Sequence, residues 1–501
     1  MDDLLLLGGG ALITGGVAKL LYDLRKAKRE KKPLSMLDYP LFHWSPKDGY
    51  RVRDLLNGGV LILGRAGSGK TSSSGMLFGR SIVSHPLSGG LILAAKPEDV
   101  AMWEAIFRIA GRRRDLIVFD PQNPWRFNFL AFVGRGETRN TVNFLMTLRE
   151  TLQRGKNQGD NAQFWEEQES RTLYNAVAAL QAAREPVSAD GIHQFIMTAA
   201  SSPAELTTAE WQKKYASKIL EKGHNARKTP IEAHDFKLAI DYWSLEWPNM
   251  DGKTRSNVLA GVMGMLHVYS TGIVREMVSG QTNVSPADIL AGKWVLVNFP
   301  PSNWGAIGLL VASGWKRLVE MAVLERHAGE QSPFVTLWCD EFSVFCNKFD
   351  AEFICQARSH RGALCVLLQS VASIYAAMPG EAGKHFADAL LANFSYSIIH
   401  ASDPVTAKWC VSKLGHERKL FGSGGMAPQR VENMLDELSG KSQGVSMSWS
   451  EQWHPVLDES QFMQGRTGGP DNNYLADAIV IKSGESFSDG RNYLYATFSQ
   501  K

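Results

Sequence analysis

Residues 60–71 read VLILGRAGSGKT, and residues 72–83 continue as SSSGMLFGRSIV. Four apolar residues suit a buried strand and the second stretch suits a helix, which puts the glycine-rich octet between them on a strand-to-helix turn. In that setting Gly64, Arg65, Ala66, Gly67, Ser68, Gly69, Lys70 and Thr71 match the pattern of a phosphate-binding loop. The glycines let successive N–H groups turn inward, and the following helix aims its positive end at the anion. Lys70 is expected to bridge the β- and γ-phosphates of ATP, and the Thr71 hydroxyl to take one coordination place on Mg2+.

A second acidic motif lies far downstream. Residues 334–341 read FVTLWCDE, an apolar strand ending in two carboxylates, which is the form of a Walker B motif. Asp340 would hold the magnesium hydration shell, and Glu341 beside it would polarise the attacking water. Another apolar strand, 363–368, delivers Gln369 and Ser370 at its end. A glutamine there can sense the γ-phosphate, because the ends of parallel strands gather at the ligand crevice. Arg358 and Arg361 precede the same strand, and either could stabilise transition-state charge in a neighbouring subunit's site.

Further strands are expected at 60–63, 90–94, 116–119, 294–299 and 396–400. Most lack polar alternation, as strands buried on both faces do, so the fold class is α/β: a mostly parallel sheet covered by helices. Between 136 and 290 the pattern turns to long, charged, helix-period segments such as 163–183 and 256–269, which predicts an all-helical inserted domain. The tail from about 420 to 475 is rich in Gly, Ser, Gln and Asn and is expected to be mostly loop, before two strand-like runs at 478–482 and 492–498. A chain of 501 residues is too long for one core, and the nucleotide-binding domain is assigned to 47–135 and 291–501.

Composition sets weaker bounds. With 44% hydrophobic and 21% charged residues the chain is not disordered, and a net charge of +3 is too mild to identify a nucleic-acid partner. Cys339, Cys346, Cys355, Cys365 and Cys410 form no metal-spaced motif and are expected to be reduced, buried and cytosolic. Residues 4–18 carry no charge, and as a helix they would rise about 22 Å against a hydrocarbon core of about 30 Å. Arg25, Lys26, Lys28, Arg29, Lys31 and Lys32 follow, as on the cytoplasmic flank of an anchor. Asp2 and Asp3 precede the apolar run, the reverse of a signal peptide's charge order. Residues 1–24 are thus a candidate membrane anchor, a buried terminal helix being the alternative, and 25–46 a basic linker.

Taken together, these residues resemble the type IV secretion coupling proteins, the ring-forming ATPases of bacterial conjugation. The resemblance rests on GRAGSGKT, on LILAAKPED with Lys96, and on VFDPQNPWRFNFL with Asn128. It rests also on Phe164 and Trp165, on the DEF at Asp340, Glu341 and Phe342, on the Arg358 to Gln369 spacing, and on Asp403, Thr406 and Gly415 after FSYSII. It implies a RecA-like ATPase domain, a homo-hexameric ring with DNA in its channel, and a helical domain that contacts relaxosome or effector proteins. It also implies docking to a secretion channel at the cytoplasmic face of a bacterial inner membrane. That family usually carries two membrane helices, whereas one candidate is present, and no acidic residue stands just before Lys96. DNA contacts would come from scattered residues such as Arg112, Arg113, Arg114, Lys213 and Lys214, runs that also suit plain solvated faces. Two other readings stay open: a soluble DNA-translocating ATPase, and a substrate receptor that uses ATP structurally.

Overall fold

A computed structural model describes residues 35–152, 162–426 and 445–501, so the candidate anchor and the basic run at 25–32 lie outside the described residues. Thirteen strands are present among them: β1 Pro40–His43, β2 Gly49–Arg51, β3 Val60–Leu63, β4 Ser88–Leu93, β5 Leu116–Phe119, β6 Trp294–Val297, β7 Phe334–Cys339, β8 Gly362–Leu368, β9 Tyr396–Ile399, β10 His416–Met426, β11 Val445–Pro455, β12 Leu475–Lys482 and β13 Tyr493–Ser499. Nine of them form one sheet in the order β13-β12-β9-β3-β8-β7-β4-β6-β5. The seven from β9 to β5 run parallel, while β12 pairs antiparallel with β9 and β13 antiparallel with β12.

Alternate residues of each central strand enter different cores. Leu61 and Leu63 of β3 face one side, with Val335, Leu337, Val366 and Leu368. Val60 and Ile62 face the other, with Trp338, Cys365, Leu367 and Ile398. Both faces are covered, which is the physical reason the strands carry no polar alternation. The second face is closed by an aromatic cluster in which Phe42 stacks on Tyr50 at 5.0 Å and meets Phe78 edge-on at 5.0 Å. Residues 40–46, expected within the linker, therefore begin the folded unit: β1 pairs with β2, and Phe42 and Trp44 pack against the second core.

Between β5 and β6 every described element is a helix, from Phe129–Val133 through Ala162–Ala182 and Gly252–Ser270 to Pro286–Leu290. Local signals set their starts: Thr229 and Glu232 form a capping box ahead of Pro230–Asp241, and the Asp251 carboxylate accepts the Lys253 and Thr254 N–H groups. The helical unit does not close a separate core. Phe127 and Phe129 lie with ring centroids 5.1 Å apart, and Phe127 lies 4.5 Å from Trp315 of the helix Pro301–Glu325, in one apolar cluster continuous with the sheet. Asn128 fastens this junction, capping Phe129–Val133 through Ala131 N–H and donating to the Ser279 and Gly280 carbonyls at 2.9 Å each.

The expected loop at 420–475 is corrected by the structure. β10 and β11 pair in register from His416–Pro455 to Met426–Val445 as a two-stranded ribbon outside the main sheet. Its apolar residues Leu420, Trp449 and Trp453 are exposed, so burial periodicity gave no cue. Instead Trp449 covers Gly422 across the strands, and the Arg418 guanidinium lies 5.3 Å from the Trp453 ring centre.

Candidate nucleotide site

Because β3, β7, β8 and β9 are parallel, the residues after Leu63, Cys339, Leu368 and Ile399 meet along one edge of the sheet. Main-chain bonds suspend the loop after β3 between its neighbours: Gly64 N–H donates to Leu368 O at 3.1 Å, Arg65 N–H to Ala401 O at 3.0 Å, and His400 N–H to Leu63 O at 2.9 Å. Gly67 and Gly69 take φ of +75° and +83°, the left-handed region where a side chain is strained. A Cβ at Gly64 would come within 2.4 Å of Ser68 Oγ. Ser68 itself is buried, while Arg65, Ala66 and Gly67 lie exposed at the loop's crest.

The turn Thr71–Gly75 is wound as a π-helix before Met76–Ser84 continues as α-helix. Gly75 N–H donates to Lys70 O at 2.8 Å within it, and its serines are bonded as well. Ser73 Oγ donates to Gly69 O at 2.7 Å, and Ser74 Oγ lies 2.7 Å from His400 Nε2. Burial holds His400 down to about 4, with Lys70 adding to the effect, so its ring is neutral near pH 7.

Thr71 Oγ1 donates to Asp340 Oδ2 at 3.3 Å, which joins the two motifs across 269 residues of sequence. Asp340 is 7% exposed, and burial, reinforced by the charges of Asp99 and Glu341 and opposed by Lys70, raises its carboxyl to about 6. Lys70 is itself 7% exposed. Glu341 sits in left-handed backbone (φ 48°) and its side chain accepts the Gln369 Nε2 donor at 2.9 Å. Lys70, Thr71, Asp340, Glu341 and Gln369 are therefore brought to one place. No group of three or more His, Cys, Asp or Glu suited to a metal occurs among the described residues. A hydroxyl beside one buried carboxylate fits Mg2+, which keeps waters and takes substrate phosphates for its other places.

Arg358 and Arg361 lie at the opposite edge of the sheet. The exposed Arg358 donates to Asn57 Oδ1 at 3.0 Å, whereas Arg361 is spent on the Glu330 and Ser332 carbonyls at 2.8 and 3.1 Å. Arg112 is corrected from a candidate DNA contact to an internal brace, bonding Asp115, Ser88 and the carbonyls of Val83, His85 and Gly292. Arg113 and Lys214 are paired with Glu104 and Glu205. Lys96 is exposed. None of the five cysteines forms a disulfide, but Cys355 is exposed, contrary to the expectation that all are buried.

Three neighbours of the site escaped sequence reading. Asp99 accepts the N–H groups of Ala95 and Lys96 at 3.0 Å each and adds negative charge near Asp340. His400 was visible only as the last residue of a strand. Gln500, at the far end of the chain, donates to Ser72 Oγ at 2.7 Å and accepts Gly469 N–H at 2.7 Å, tying the last strand to the phosphate-binding helix. Nothing local to residue 500 signals that contact.

Sheet order, phosphate loop and carboxylate pair together define a RecA-like P-loop NTPase. The family model for type IV secretory system conjugative DNA transfer matches residues 30–400, and the chain belongs to that family. Among solved structures, the bacterial conjugative coupling protein TrwB in an unbound monoclinic form is similar at 14% identity and a TM-score of 0.59, over 95% of this chain and 91% of that one. The plasmid coupling protein TrwB in complex with ADP and Mg2+ is similar at 14% identity and a TM-score of 0.58, over 95% and 92%. These likenesses show the fold. No curated protein matches the sequence.

Proposed function

We propose that the chain is an ATPase subunit of a homo-hexameric ring that moves DNA, or protein attached to DNA, toward a type IV secretion channel. One observation carries the hydrolytic part: the Thr71 hydroxyl, the Asp340 carboxylate and the hydrogen-bonded Glu341–Gln369 pair converge at the ends of adjacent parallel strands. The complexes of TrwB with ADPNP and with ADP and Mg2+ support nucleotide as the ligand of this fold.

In this reading the loop N–H groups and Lys70 grip the β- and γ-phosphates, and the burial of Lys70 strengthens its part of the grip. Thr71 and Asp340 would hold Mg2+, which when bound supplies positive charge against the phosphate oxygens. Glu341 orients and polarises the water in line with the γ-phosphate. Gln369, bonded to Glu341, is placed to exchange that bond for one to a phosphate oxygen, which links occupancy of the site to the end of β8. Arg358 completes the site of the next subunit.

The helical unit is the candidate cargo face. Exposed Met197, Ile231, Leu238 and Leu245 support that assignment, as does a cleft bordered by Arg135, Tyr174, Arg184 and Phe236. Membrane attachment through residues 1–24 belongs to this reading on the strength of the uncharged run 4–18 and the basic residues that follow it; among the described residues no single helix is long and apolar enough to cross a bilayer.

Steady-state ATPase activity of the full-length protein, with and without DNA at low and moderate salt, tests the proposal. DNA-stimulated turnover that disappears in Glu341→Gln is expected. Turnover indifferent to DNA would favour the receptor reading, and full turnover in Glu341→Gln would remove Glu341 from its role.

A further inference from the structure

Lys316 and Glu320 lie one turn apart on the helix Pro301–Glu325, and Asp350 lies in the first turn of Phe349–Gln356. All three side chains are fully buried, yet the chemistry described above uses none of them. The Lys316 ammonium is paired with Asp350 and stands 3.3 Å from Glu320 Oε1. Asp350 Oδ2 also accepts Asn347 N–H at 2.6 Å. The same ammonium lies 5.7 Å from the ring centre of Phe342, the buried residue directly after Glu341.

A buried ion cluster is seldom more stabilising than apolar side chains of the same volume, so its presence calls for another reason. Its reach supplies one. The cluster grips the segment 342–347 at both ends: Phe342 through its ring face and Asn347 through the Asp350 carboxylate. Between them Val344 N–H donates to Glu341 O at 2.9 Å, and Cys346 N–H to Phe342 O at 2.8 Å. Glu341 holds φ at 48°, a conformation that a glutamate keeps only where its surroundings over-determine it. Burial raises the Glu320 carboxyl, while the Asp350 carboxylate beside it holds Lys316 in its charged form.

The geometry points to Lys316, with Asp350 and Glu320, as the positioning group that fixes the turn at Asp340–Phe342 and so aims Glu341 at Gln369 and the phosphate site. This rests on the hydrolytic reading of the site proposed above. A group that positions Glu341 without touching nucleotide must affect turnover and leave binding alone.

The test is the paired variant Lys316→Met with Asp350→Asn, which removes the ammonium together with the carboxylate bonded to it and leaves Glu320, whose carboxyl burial raises, to take up a proton. Nucleotide affinity within about threefold of the unaltered protein and turnover reduced at least about tenfold are expected. Unchanged turnover would overturn the inference, as would equal losses of affinity and turnover, since these indicate general damage. Phe342→Leu keeps the apolar volume and removes the ring face, so it decides the matter if the paired variant does not fold: turnover should drop about fivefold with affinity kept. Hydrogen exchange over 340–347 reads the same restraint without catalysis, with faster exchange expected there and unchanged exchange in β7. If the unaltered protein hydrolyses no ATP the proposed function fails, and the exchange measurement alone then judges the cluster, an unchanged rate over 340–347 overturning it.

Discussion

The two ends of β8 meet different surroundings. At its C-terminal end Gln369 reaches Glu341, and nearby Lys70, Asp340 and His400 are almost wholly withdrawn from water. At its N-terminal end Arg358 is exposed, and its guanidinium donates to the side chain of Asn57. The strand between them, Gly362–Leu368, spans roughly 23 Å at about 3.3 Å per residue, too far for Arg358 to reach its own subunit's phosphate loop. The C-terminal edge gathers Lys70, Asp340, Glu341 and Gln369 within one chain, and Arg358 at the other end of the strand lies outside that group. The strand places Arg358 and Gln369 at its opposite ends.

The largest test of that contrast is Arg358→Ala, which should leave nucleotide affinity intact and lower turnover about 10³-fold, as for arginine fingers elsewhere. Mixing Arg358→Ala with Glu341→Gln subunits should restore part of the activity, because some interfaces would then hold both intact groups. No restoration would place the arginine in its own subunit and break the comparison.

Next in size is the dryness of the site edge. His400 is held at about 4 against an ordinary 6.5, so as pH falls through that interval the unfolded chain takes up a proton that the folded one refuses. Stability should therefore decline from pH 6.5 to 4 by about 3 kcal/mol on account of this residue. His85, lowered likewise by burial and Arg112, adds its own share. Denaturant titrations at pH 7 and 4.5 should show His400→Gln losing less stability than the unaltered protein, and equal losses would mean that the edge is wet.

A smaller effect separates sensing from chemistry. Gln369→Ala frees the Glu341 carboxylate and should reduce turnover about tenfold while abolishing most of its stimulation by DNA. A variant with low basal turnover but full relative stimulation would leave Gln369 a mere prop. The smallest effect belongs to Arg361→Ala, which deletes two bonds to the loop carbonyls of residues 330 and 332. It should cost about 1 kcal/mol in denaturation and leave turnover unchanged, which would single out Arg358 as the arginine that acts between subunits.

Much of the candidate site could be picked out before any fold was known, because the pattern of a phosphate-binding loop is confined to a local stretch. Gly67 and Gly69 are required by φ values that other residues avoid, and Lys70 and Thr71 must follow at fixed positions. Asp340 and Glu341 were legible because an apolar strand ended in charge. The ribbon of β10 and β11 was not legible, since both its faces meet solvent and glycine and serine hid its pairing. Nor was the part of the folded unit before residue 47, where Phe42 and Trp44 gain their meaning from Tyr50, Phe78 and Tyr396.

The sequence by itself determined the phosphate loop, the carboxylate pair and the parallel α/β class, because each depends on neighbours a few residues apart. Only the tertiary structure decided that Gln369 bonds Glu341, that Gln500 bonds Ser72, that Arg112 is a brace, and that Lys316, Glu320 and Asp350 lie beneath the Walker B turn. Those contacts join residues between 28 and 428 positions apart, or hinge on which face of a helix is buried. Sheet order and helix packing set such distances, and no periodicity along the chain encodes them.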